Sequence, residues 1–505
     1  MAGKSAGPAS RVTAGVDLFV FAAYLAAVVA LGISLARRSG TARGFMVAGG
    51  ALPGWVVGMS MFGTFLSSNT FIGVPGQAYG GNWNAFVFSL SLPVAAFLAA
   101  RWWIPFYRRG DAVSAYHHLE ARFGRWARTY AVACYLLTQF ARVGSILFGV
   151  ALAMNALTGW PVAWIILCTG IVVTVYTLVG GIEAVIWTDV IQSVVLTVGA
   201  LVVVALLVSD AQGGFGGLLE TAQAAEKFSL GSFSLDFTTS TFWVVLVYGL
   251  FINFTNFGID QSYVQRYHAA NSDRAASRSV WLAAGLYLPV SAVFFFIGTG
   301  LFVVLQGQPE AAGLAADQAF PHYISTRLPS GAAGLLIAAL FAAAMSSIDT
   351  SFNSSATVFL SDIYRTWIRP ERDADGGEAE DLRVLRRATV VIGVLGTGAA
   401  LLMIGAGSLL DVWWTVSGIF AGGLLGLFAL DRLAPRAGRG AAQAGVAVGV
   451  LVIVWMTVSP QLEGGLAMLR VPLHSYMITV IGTLTIFGVG LLLASRRRSR
   501  GAAIV

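Results

Sequence analysis

Long apolar segments recur along the whole chain and leave it few architectures besides a bundle of membrane-spanning helices. They fall at 14–36, 52–78, 84–104, 127–157, 161–179, 184–208, 239–264, 279–305, 331–362, 388–405, 409–430, 441–458 and 474–494. Most can cross a hydrocarbon core of about 30 Å, which needs ~20 helical residues. The sequence therefore predicts an all-α membrane protein with about thirteen transmembrane helices, numbered here as the first to the thirteenth span.

The composition agrees with a chain that lies in lipid. Of 505 residues, 57% are hydrophobic and 11% are charged, against about 25% charged residues in soluble domains. Cys134 and Cys168 both lie in apolar runs, which predicts two buried thiols and no disulfide framework. The net charge of +7 does not indicate nucleic-acid binding, because the basic residues punctuate the apolar runs without forming a patch.

The distribution of arginine predicts the orientation in the membrane. If the N-terminus is outside, the inside loops hold the arginines within 37–43, 101–128, 266–278, 365–387, 432–439 and 496–500. The outside loops then hold only Lys4, Arg11, Lys227, Arg327 and Arg470. This asymmetry obeys the positive-inside rule. It predicts a multi-pass protein of the bacterial inner membrane with an outside N-terminus and a cytoplasmic C-terminus.

The segments between the spans are short. The first apolar run is too long for the core of a signal peptide, and Arg37 follows it in place of a cleavage site, so a retained helix is predicted. Segment 366–386 is predicted to be a solvated cytoplasmic loop, and 210–238 a longer external one. Nothing else is long enough to fold as a soluble module, which predicts a single membrane domain over 1–505.

Polar residues interrupt the second span at membrane depth, where each is costly and usually faces a cavity or a partner. The run Ser67, Ser68, Asn69 and Thr70 is followed by Gly73, Pro75 and Gly76. A helix of this composition is predicted to unwind, so that free backbone carbonyls can bind a cation. The alternative is close helix packing through small residues.

A second polar group lies in the ninth span. At ~100° per residue, Ser346, Ser347, Asp349 and Thr350 share one broad helical face with Ala343. Hydroxyls and a carboxylate are the oxygen ligands that a hard cation such as sodium prefers. A packing seam of small residues is the alternative, but such a seam does not need Asp349.

Charged residues also lie inside the fourth and sixth spans. Asp189 falls about two turns into the sixth span, where it needs a cation, a proton or an arginine. Glu183, nearer the edge, is expected to be solvated. Arg142 lies on one stripe of the fourth span with Thr138 and Ser145, and its guanidinium needs a carboxylate, which either the protein or a ligand can supply.

Three sequence stretches together resemble the sodium:solute symporter family, most closely its bacterial sialic acid transporters. They are Gly180–Asp189, the residues from Asp260-Gln261 to Arg266-Tyr267, and the residues from Ala343 to Ser361-Asp362-Ile363-Tyr364. The resemblance implies a LeuT-type fold, in which the second and seventh spans are broken helices and the ligand lies between them. It divides the chain into a leading helix (14–36), two inverted five-helix repeats (52–208 and 239–430) and two trailing helices (441–494).

The same resemblance implies two sodium sites. The first would use the carbonyls of Gly63, Leu66 and Ala343 and the hydroxyls of Ser346 and Ser347. The second would use Asp189, Ser346, Asp349 and Thr350, so that Ser346 belongs to both sites. Asp349 stands where those relatives carry a serine, so this second site could bind more tightly or could bind a proton.

The resemblance also implies a substrate site centred on Arg142, which matches the arginine that holds the carboxylate in sialic acid transporters. Ser67 and Thr70 match hydroxyls near the ligand. Phe65 and Ser89 replace a threonine and a glutamine of those relatives, which favours a smaller or less hydroxylated acid. Three further candidates come from position in the seventh span alone: Asn253, Asn256 and Phe257.

The predicted function is symport of sodium with a small carboxylate-bearing, sialic acid-like solute by alternating access. The alternatives are a neutral sugar, proline or a monocarboxylate as the solute, or proton coupling through Asp189 and Asp349. A channel would need a continuous polar pore, and an enzyme would need a nucleophile with a base or metal ligands, so neither is predicted. Apart from the solute and the lipid bilayer, the sequence predicts no nucleic-acid or obligate protein partner.

Overall fold

The computed structural model describes residues 15–35, 39–110, 112–311, 313–369, 377–404 and 422–501, and within these ranges the chain is helical with no strand. Ten helices in them are long and apolar enough to cross a membrane. One of these ten helices contains both the fifth and the sixth span, which adds one span to the count. The second span adds another, because it is broken into two short helices. An all-α membrane protein is therefore confirmed.

The helices follow the predicted spans closely. The described bounds are Gly15–Ser34 (first), Gly54–Phe65 and Ser68–Gly80 (second), Trp83–Arg108 (third), Arg125–Thr158 (fourth), Val162–Asp210 (fifth and sixth), Phe242–Ile259 and Gln261–Ala269 (seventh), Asp273–Leu305 (eighth), Ala332–Ile368 (ninth), Glu378–Leu402 (tenth), Arg439–Val458 (twelfth) and Met477–Gly501 (thirteenth). The eleventh span, 409–430, lies mostly outside the described residues, and only its end, from 422, is seen as helix. The count of thirteen therefore stays a prediction.

Two predicted loops contain more structure than the sequence indicated. The ninth span continues to Ile368 and the tenth begins at Glu378, so the predicted loop 366–386 is wrong at both ends. The external segment 210–238 contains a helix, Gly214–Ala224. The ninth and tenth spans extend beyond their predicted ends because amphipathic helix ends carry charges, and hydropathy alone does not separate such ends from loops.

Gly181 allows the fifth and sixth spans to turn without a loop between them. Its φ is +56°, a conformation that costs a residue with a side chain but not glycine. A Cβ atom there would also lie 2.9 Å from the Cα of Phe45. The kink therefore depends on glycine for both its backbone angle and its close packing.

The second span breaks where its polar run was predicted to unwind. The first half ends at Phe65, and Leu66 and Ser67 are extended with ψ of 94° and 171°. The second half begins with Ser67 as its N-cap, since the Ser67 hydroxyl accepts from the Thr70 N–H at 3.4 Å. Serine is among the preferred N-cap residues, so the local sequence explains where the helix restarts.

The seventh span also breaks, at Asp260, which caps its second half by accepting from the Ser262 N–H at 2.8 Å. Two carbonyls at the end of the first half are satisfied by phenol groups. The Tyr267 hydroxyl donates to the Phe257 carbonyl at 2.5 Å, and the Tyr107 hydroxyl donates to the Gly258 carbonyl at 2.8 Å. Protein groups therefore satisfy these two carbonyls at the break.

The ninth span runs through the centre of the bundle and packs against the first, fourth and sixth spans. Every residue from Leu336 to Val358 is buried. The first span holds its beginning, because the Asp17 carboxylate accepts from the N–H groups of Gly331 and Gly334 at 2.7 and 2.8 Å. The predicted polar face of the ninth span thus lies inside protein and does not face lipid.

Candidate functional site

The break in the second span lies directly against the ninth span. A Cβ atom added to Gly63 would be 3.3 Å from the Ser346 Oγ and 2.6 Å from the Ser193 Oγ. Leu66, Ala343 and Ser347 are all buried in the same region. The structure therefore brings together the last turn of the first half-helix and the predicted hydroxyls of the ninth span.

This junction offers oxygen atoms that suit a sodium ion. The Gly63 carbonyl accepts from the Leu66 N–H at 3.0 Å, which uses one of its two lone pairs. Among the described residues, the buried Ser347 Oγ has no hydrogen-bond partner. The C-terminal end of a half-helix carries partial negative charge and favours a cation. The geometry fits the predicted first sodium site.

Gly63→Ala is expected to weaken sodium binding at this junction. The added methyl group would displace Ser193 and crowd Ser346, so we expect at least a tenfold rise in the sodium concentration for half-maximal uptake, about 1.4 kcal/mol. The matched control is Gly73→Ala in the second half of the same span, where a Cβ meets nothing within 4 Å. Sodium titration of uptake checks both variants, and equal sodium dependence in the two would contradict the assignment.

Asp189 lies at the centre of a buried polar network. Its Oδ1 accepts from the Ser346 hydroxyl at 2.5 Å, and its Oδ2 accepts from the Ser60 hydroxyl at 2.5 Å. The Arg266 guanidinium donates to Oδ2 at 2.9 Å and to the Thr350 hydroxyl at 2.7 Å. Both members of the ion pair are fully buried. Of the three predicted counter-charges for Asp189, a cation, a proton or an arginine, the structure contains the arginine.

Sequence reasoning missed Arg266, which was assigned to an inside loop. It lies in the second half of the seventh span and is 0% exposed. The predicted end of that span at 264 placed it just outside the membrane. The signal that could have found it is the unpaired Asp189, which required a cationic partner.

Asp349 is the other carboxylate of this region, and it is also fully buried. It accepts from the Tyr176 hydroxyl at 2.6 Å and from the Thr350 N–H at 2.6 Å. No arginine or lysine among the described residues forms an ion pair with it. Two carboxylates with one guanidinium leave an excess negative charge when both are ionised, and buried charge of this kind favours binding of a cation.

A cavity of about 350 Å³ lies between the halves of the broken second and seventh spans and the fourth span. Arg142 lines it, and among the described residues its guanidinium donates to one acceptor, the Thr64 carbonyl, at 3.3 Å. In the part of the chain that the structure describes, no carboxylate pairs with Arg142. The sequence allowed an internal ion pair for Arg142, and these residues do not contain one. The guanidinium faces the cavity.

Four more of the predicted substrate residues share this cavity with Arg142: Phe65, Ser67, Thr70 and Asn256. The Ser67 and Thr70 hydroxyls face each other at 3.4 Å across the start of the half-helix. Their bonds to the backbone are equally long, so a ligand can compete for them. The side chains of Ser68 and Asn69 fall outside the described part of the structure.

The three remaining candidates do not line the cavity. Ser89 bonds to the Ser291 hydroxyl at 2.8 Å, and Asn253 donates to the Ser91 hydroxyl at 2.9 Å. Both bonds join helices to one another. Phe257 is fully buried and packs on the Phe65 ring at a centroid distance of 5.3 Å. The structure gives these three residues packing roles.

Several cavity residues were not predicted from the sequence. Asp260 lines the cavity beside the Tyr263 and Tyr287 rings. Gln139 lines it too, and its buried Oε1 has no hydrogen-bond partner among the described residues. Polar residues that follow a helix break or lie one turn from Arg142 are the signal that would have suggested Asp260 and Gln139.

The prediction for Glu183 was wrong. Glu183 was expected to be solvated, and it is instead buried at 6% exposure.

Comparison with known proteins agrees with this geometry. The sequence model of the sodium:solute symporter family matches residues 45–449. The chain is 34% identical to the sodium/sialic acid symporter SiaT of Proteus mirabilis over 84% of this chain and 85% of that one. It is 34% identical to the sodium/sialic acid symporter NanT of Aliivibrio fischeri over 82% of each chain.

A solved structure shares the fold. It is the substrate-bound outward-open state of a Na⁺-coupled sialic acid symporter, with a TM-score of 0.87 and 31% identity over 95% of this chain and 98% of that one. This overlap confirms the LeuT-type fold and the coupling to sodium. The chain belongs to the sodium:solute symporter family and is a sodium-coupled, multi-pass membrane transporter.

Proposed function

We propose that the chain imports a small carboxylate-bearing solute and that Arg142 binds its carboxylate. The observation that carries this proposal is a guanidinium facing a cavity with no carboxylate partner among the described residues. An arginine at membrane depth is costly without a counter-charge, and an arginine–carboxylate pair is among the strongest polar contacts. A solute carboxylate would supply that counter-charge.

The broken second span supports an anionic solute beside a cation. Its second half, Ser68–Gly80, begins at the cavity wall, and the N-terminus of a helix favours negative charge. Its first half ends at the proposed sodium ligands Gly63 and Leu66, where the opposite end of a helix dipole favours positive charge. One break would thus bind sodium on one side and a carboxylate on the other.

Sialic acid, which SiaT and NanT carry, is our first candidate for the solute. Phe65 and the neighbouring rings of Tyr263 and Tyr287 make one wall of the cavity apolar. Ser89, which the family resemblance matches to a glutamine, is turned toward Ser291. A smaller or less hydroxylated acid is therefore the second candidate, favoured by this loss of polar contacts.

Transport would proceed by alternating access. The repeats 52–208 and 239–430 would rock against each other around the cavity, with an outside N-terminus and inward transport. Sodium would bind first, joining the second span to the ninth, and the acid would follow. This order is suggested by the position of the proposed sodium ligands Gly63 and Leu66, which come immediately before the half-helix that begins at Ser67.

Ligand-induced stabilisation tests this function. In sodium buffer, sialic acid or a smaller acid should raise the Tm of the purified protein, because binding to the folded state stabilises it. In potassium buffer the same acid should have little effect, since its site would be incomplete. The methyl ester of the acid is the control without a carboxylate. Stabilisation by the ester alone, or equally in both salts, would contradict the proposal.

We further propose that a second sodium binds beside Asp349, Ser346 and Thr350, on the Asp189 side of the ninth span. One sodium driven by about 100 mV gains ~2.3 kcal/mol, and a tenfold gradient adds ~1.4. Moving a monoanion inward costs ~2.3 kcal/mol, so one sodium leaves about 1.4 kcal/mol and two leave about 5. Two sodium ions would therefore allow several thousandfold accumulation instead of tenfold.

Asp349→Ala is expected to remove the second sodium and make transport of a monoanion electroneutral. The variant eliminates the excess buried carboxylate and leaves no side-chain oxygen at the position. Uptake into proteoliposomes at clamped membrane potentials checks this: the unaltered protein should respond to potential, and the variant should not. Transport by the unaltered protein that ignores potential would indicate one sodium. Acid uptake that follows a proton gradient would favour a proton at Asp349.

A further inference from the structure

An apolar groove opens on the membrane-facing side of the bundle, away from the solute cavity. It has a volume of about 290 Å³ and lies between the first, fifth and ninth spans. Its lining is almost wholly apolar and includes Phe21, Trp164, Cys168, Phe341 and Met345. An apolar cavity of this size stays free of water and binds hydrocarbon.

The groove is continuous with the surface that faces lipid. Trp164 on its rim is 65% exposed, and the neighbouring Phe19 and Ile171 are 72% and 61% exposed. Cys168, predicted to be buried, is exposed at this surface. Because these residues lie on membrane-spanning helices, hydrocarbon chains surround them, and hydrocarbon is what can enter the groove from the side.

Tryptophan residues indicate how a lipid would be oriented. Trp160 and Trp164 both line the groove, at the turn that begins the fifth span. Tryptophan is enriched at the level of lipid headgroups. The groove then extends from that level toward Met345. A phospholipid with its headgroup near Trp160 would place an acyl chain along the groove.

The groove wall includes a residue that adjoins the proposed sodium ligands in sequence. Met345 forms part of the groove wall and is followed directly by Ser346 and Ser347. The Tyr24 hydroxyl contacts the Met345 Sδ at 4.0 Å, and the rings of Phe21 and Phe341 pack at 4.8 Å. A chain in the groove would press on the segment of the ninth span that carries the hydroxyls.

We propose that this groove binds one acyl chain of a bilayer phospholipid and that its occupancy tunes sodium affinity. A filled groove packs Phe341 and Met345 from the lipid side and holds Ser346 and Ser347 in position. An empty groove leaves these side chains without contacts on that side, which loosens the segment. The inference depends on sodium coupling and is independent of which solute is carried.

Alkylation of Cys168 tests binding. The purified protein in a short-chain detergent is treated with N-ethylmaleimide, with and without a phosphatidylglycerol carrying sixteen-carbon chains, and labelling is read by peptide mass spectrometry. The long-chain lipid should slow labelling of Cys168 at least threefold. The control is Val175→Cys, on the same span and 44% exposed but outside the groove lining. Equal protection at both positions, or equal protection of Cys168 by a lipid with six-carbon chains, would overturn the proposal.

Thermodynamic linkage between lipid binding and sodium binding tests whether the groove tunes sodium affinity. If the lipid raises sodium affinity by some factor, sodium must raise lipid affinity by the same factor. We expect sodium to lower the lipid concentration that half-protects Cys168 at least threefold. Cys168→Trp, which fills the groove, should make the sodium dependence of uptake insensitive to added lipid, whereas Val175→Trp should not. The proposal would be overturned if sodium did not change the protection of Cys168 by lipid and uptake by both variants still responded to lipid. The groove would then be an ordinary lipid contact.

Discussion

Arg142→Ala is expected to weaken binding of the acid at least tenfold while leaving the protein folded and able to bind sodium. The guanidinium faces the cavity and, within the described part of the chain, makes one long bond, to the Thr64 carbonyl, so its removal breaks little of that structure. A hydrogen bond to a charged group contributes about 1.5–3 kcal/mol, which corresponds to a loss of affinity of about tenfold to a hundredfold or more. Initial rates of acid uptake at varied solute concentration measure this loss.

Two controls separate binding from folding. Thr138→Ala alters another residue of the cavity lining on the same helix, whose hydroxyl bonds to its own backbone at Cys134, and it should change acid affinity less than threefold, under ~0.7 kcal/mol. Arg142→Lys keeps the charge but loses the two-pronged geometry, so partial activity is expected. An Arg142→Ala protein that takes up the acid with unchanged affinity would show that the carboxylate binds elsewhere.

Arg266→Met should destabilise the folded protein far more than Arg142→Ala does. It would leave the fully buried Asp189 carboxylate without its counter-charge, and breaking such a pair costs about 3–5 kcal/mol. Replacing both partners, as Arg266→Met with Asp189→Leu, should cost less than the single change because no buried charge remains. The Tm and the yield of monodisperse protein in detergent measure the stability of the single and the double variant.

The matched control is an ion pair near the surface. Arg327 pairs with Glu310 at 3.7 Å, and their side chains are 42% and 62% exposed, so Arg327→Met should cost at most about 1 kcal/mol. The interaction energy from the four proteins of the Arg266–Asp189 cycle isolates the pair. Additive losses would mean that the two residues do not stabilise one another and that Asp189 has another counter-charge.

Hydropathy predicted most of the fold because lipid imposes a minimum length on every span. The break in the second span was also predictable, since Ser67 is a preferred helix N-cap and the surrounding polar run is costly in lipid. Hydropathy failed at the ends of the ninth and tenth spans, where helices continue into water. The bounds of the repeats remain a proposal.

The site was predicted less completely than the fold, because sequence position does not tell which face of a helix meets which neighbour. Asn253 and Asn256 are one turn apart, yet one bonds to Ser91 and the other lines the cavity. Arg266 was misplaced because the seventh span restarts after Asp260 and carries it back into the bundle. Such pairings depend on how helices pack in three dimensions.

The most direct test of sodium-coupled uptake of an acid is flux into proteoliposomes that contain only the purified protein. Labelled sialic acid and a small monocarboxylate are offered with an inward sodium gradient, with an equal potassium gradient, and as their methyl esters. We predict accumulation of at least one acid with sodium, none with potassium, and none of either ester. Accumulation of an ester, or of an acid without sodium, would contradict the roles assigned to Arg142 and to the junction of the second and ninth spans.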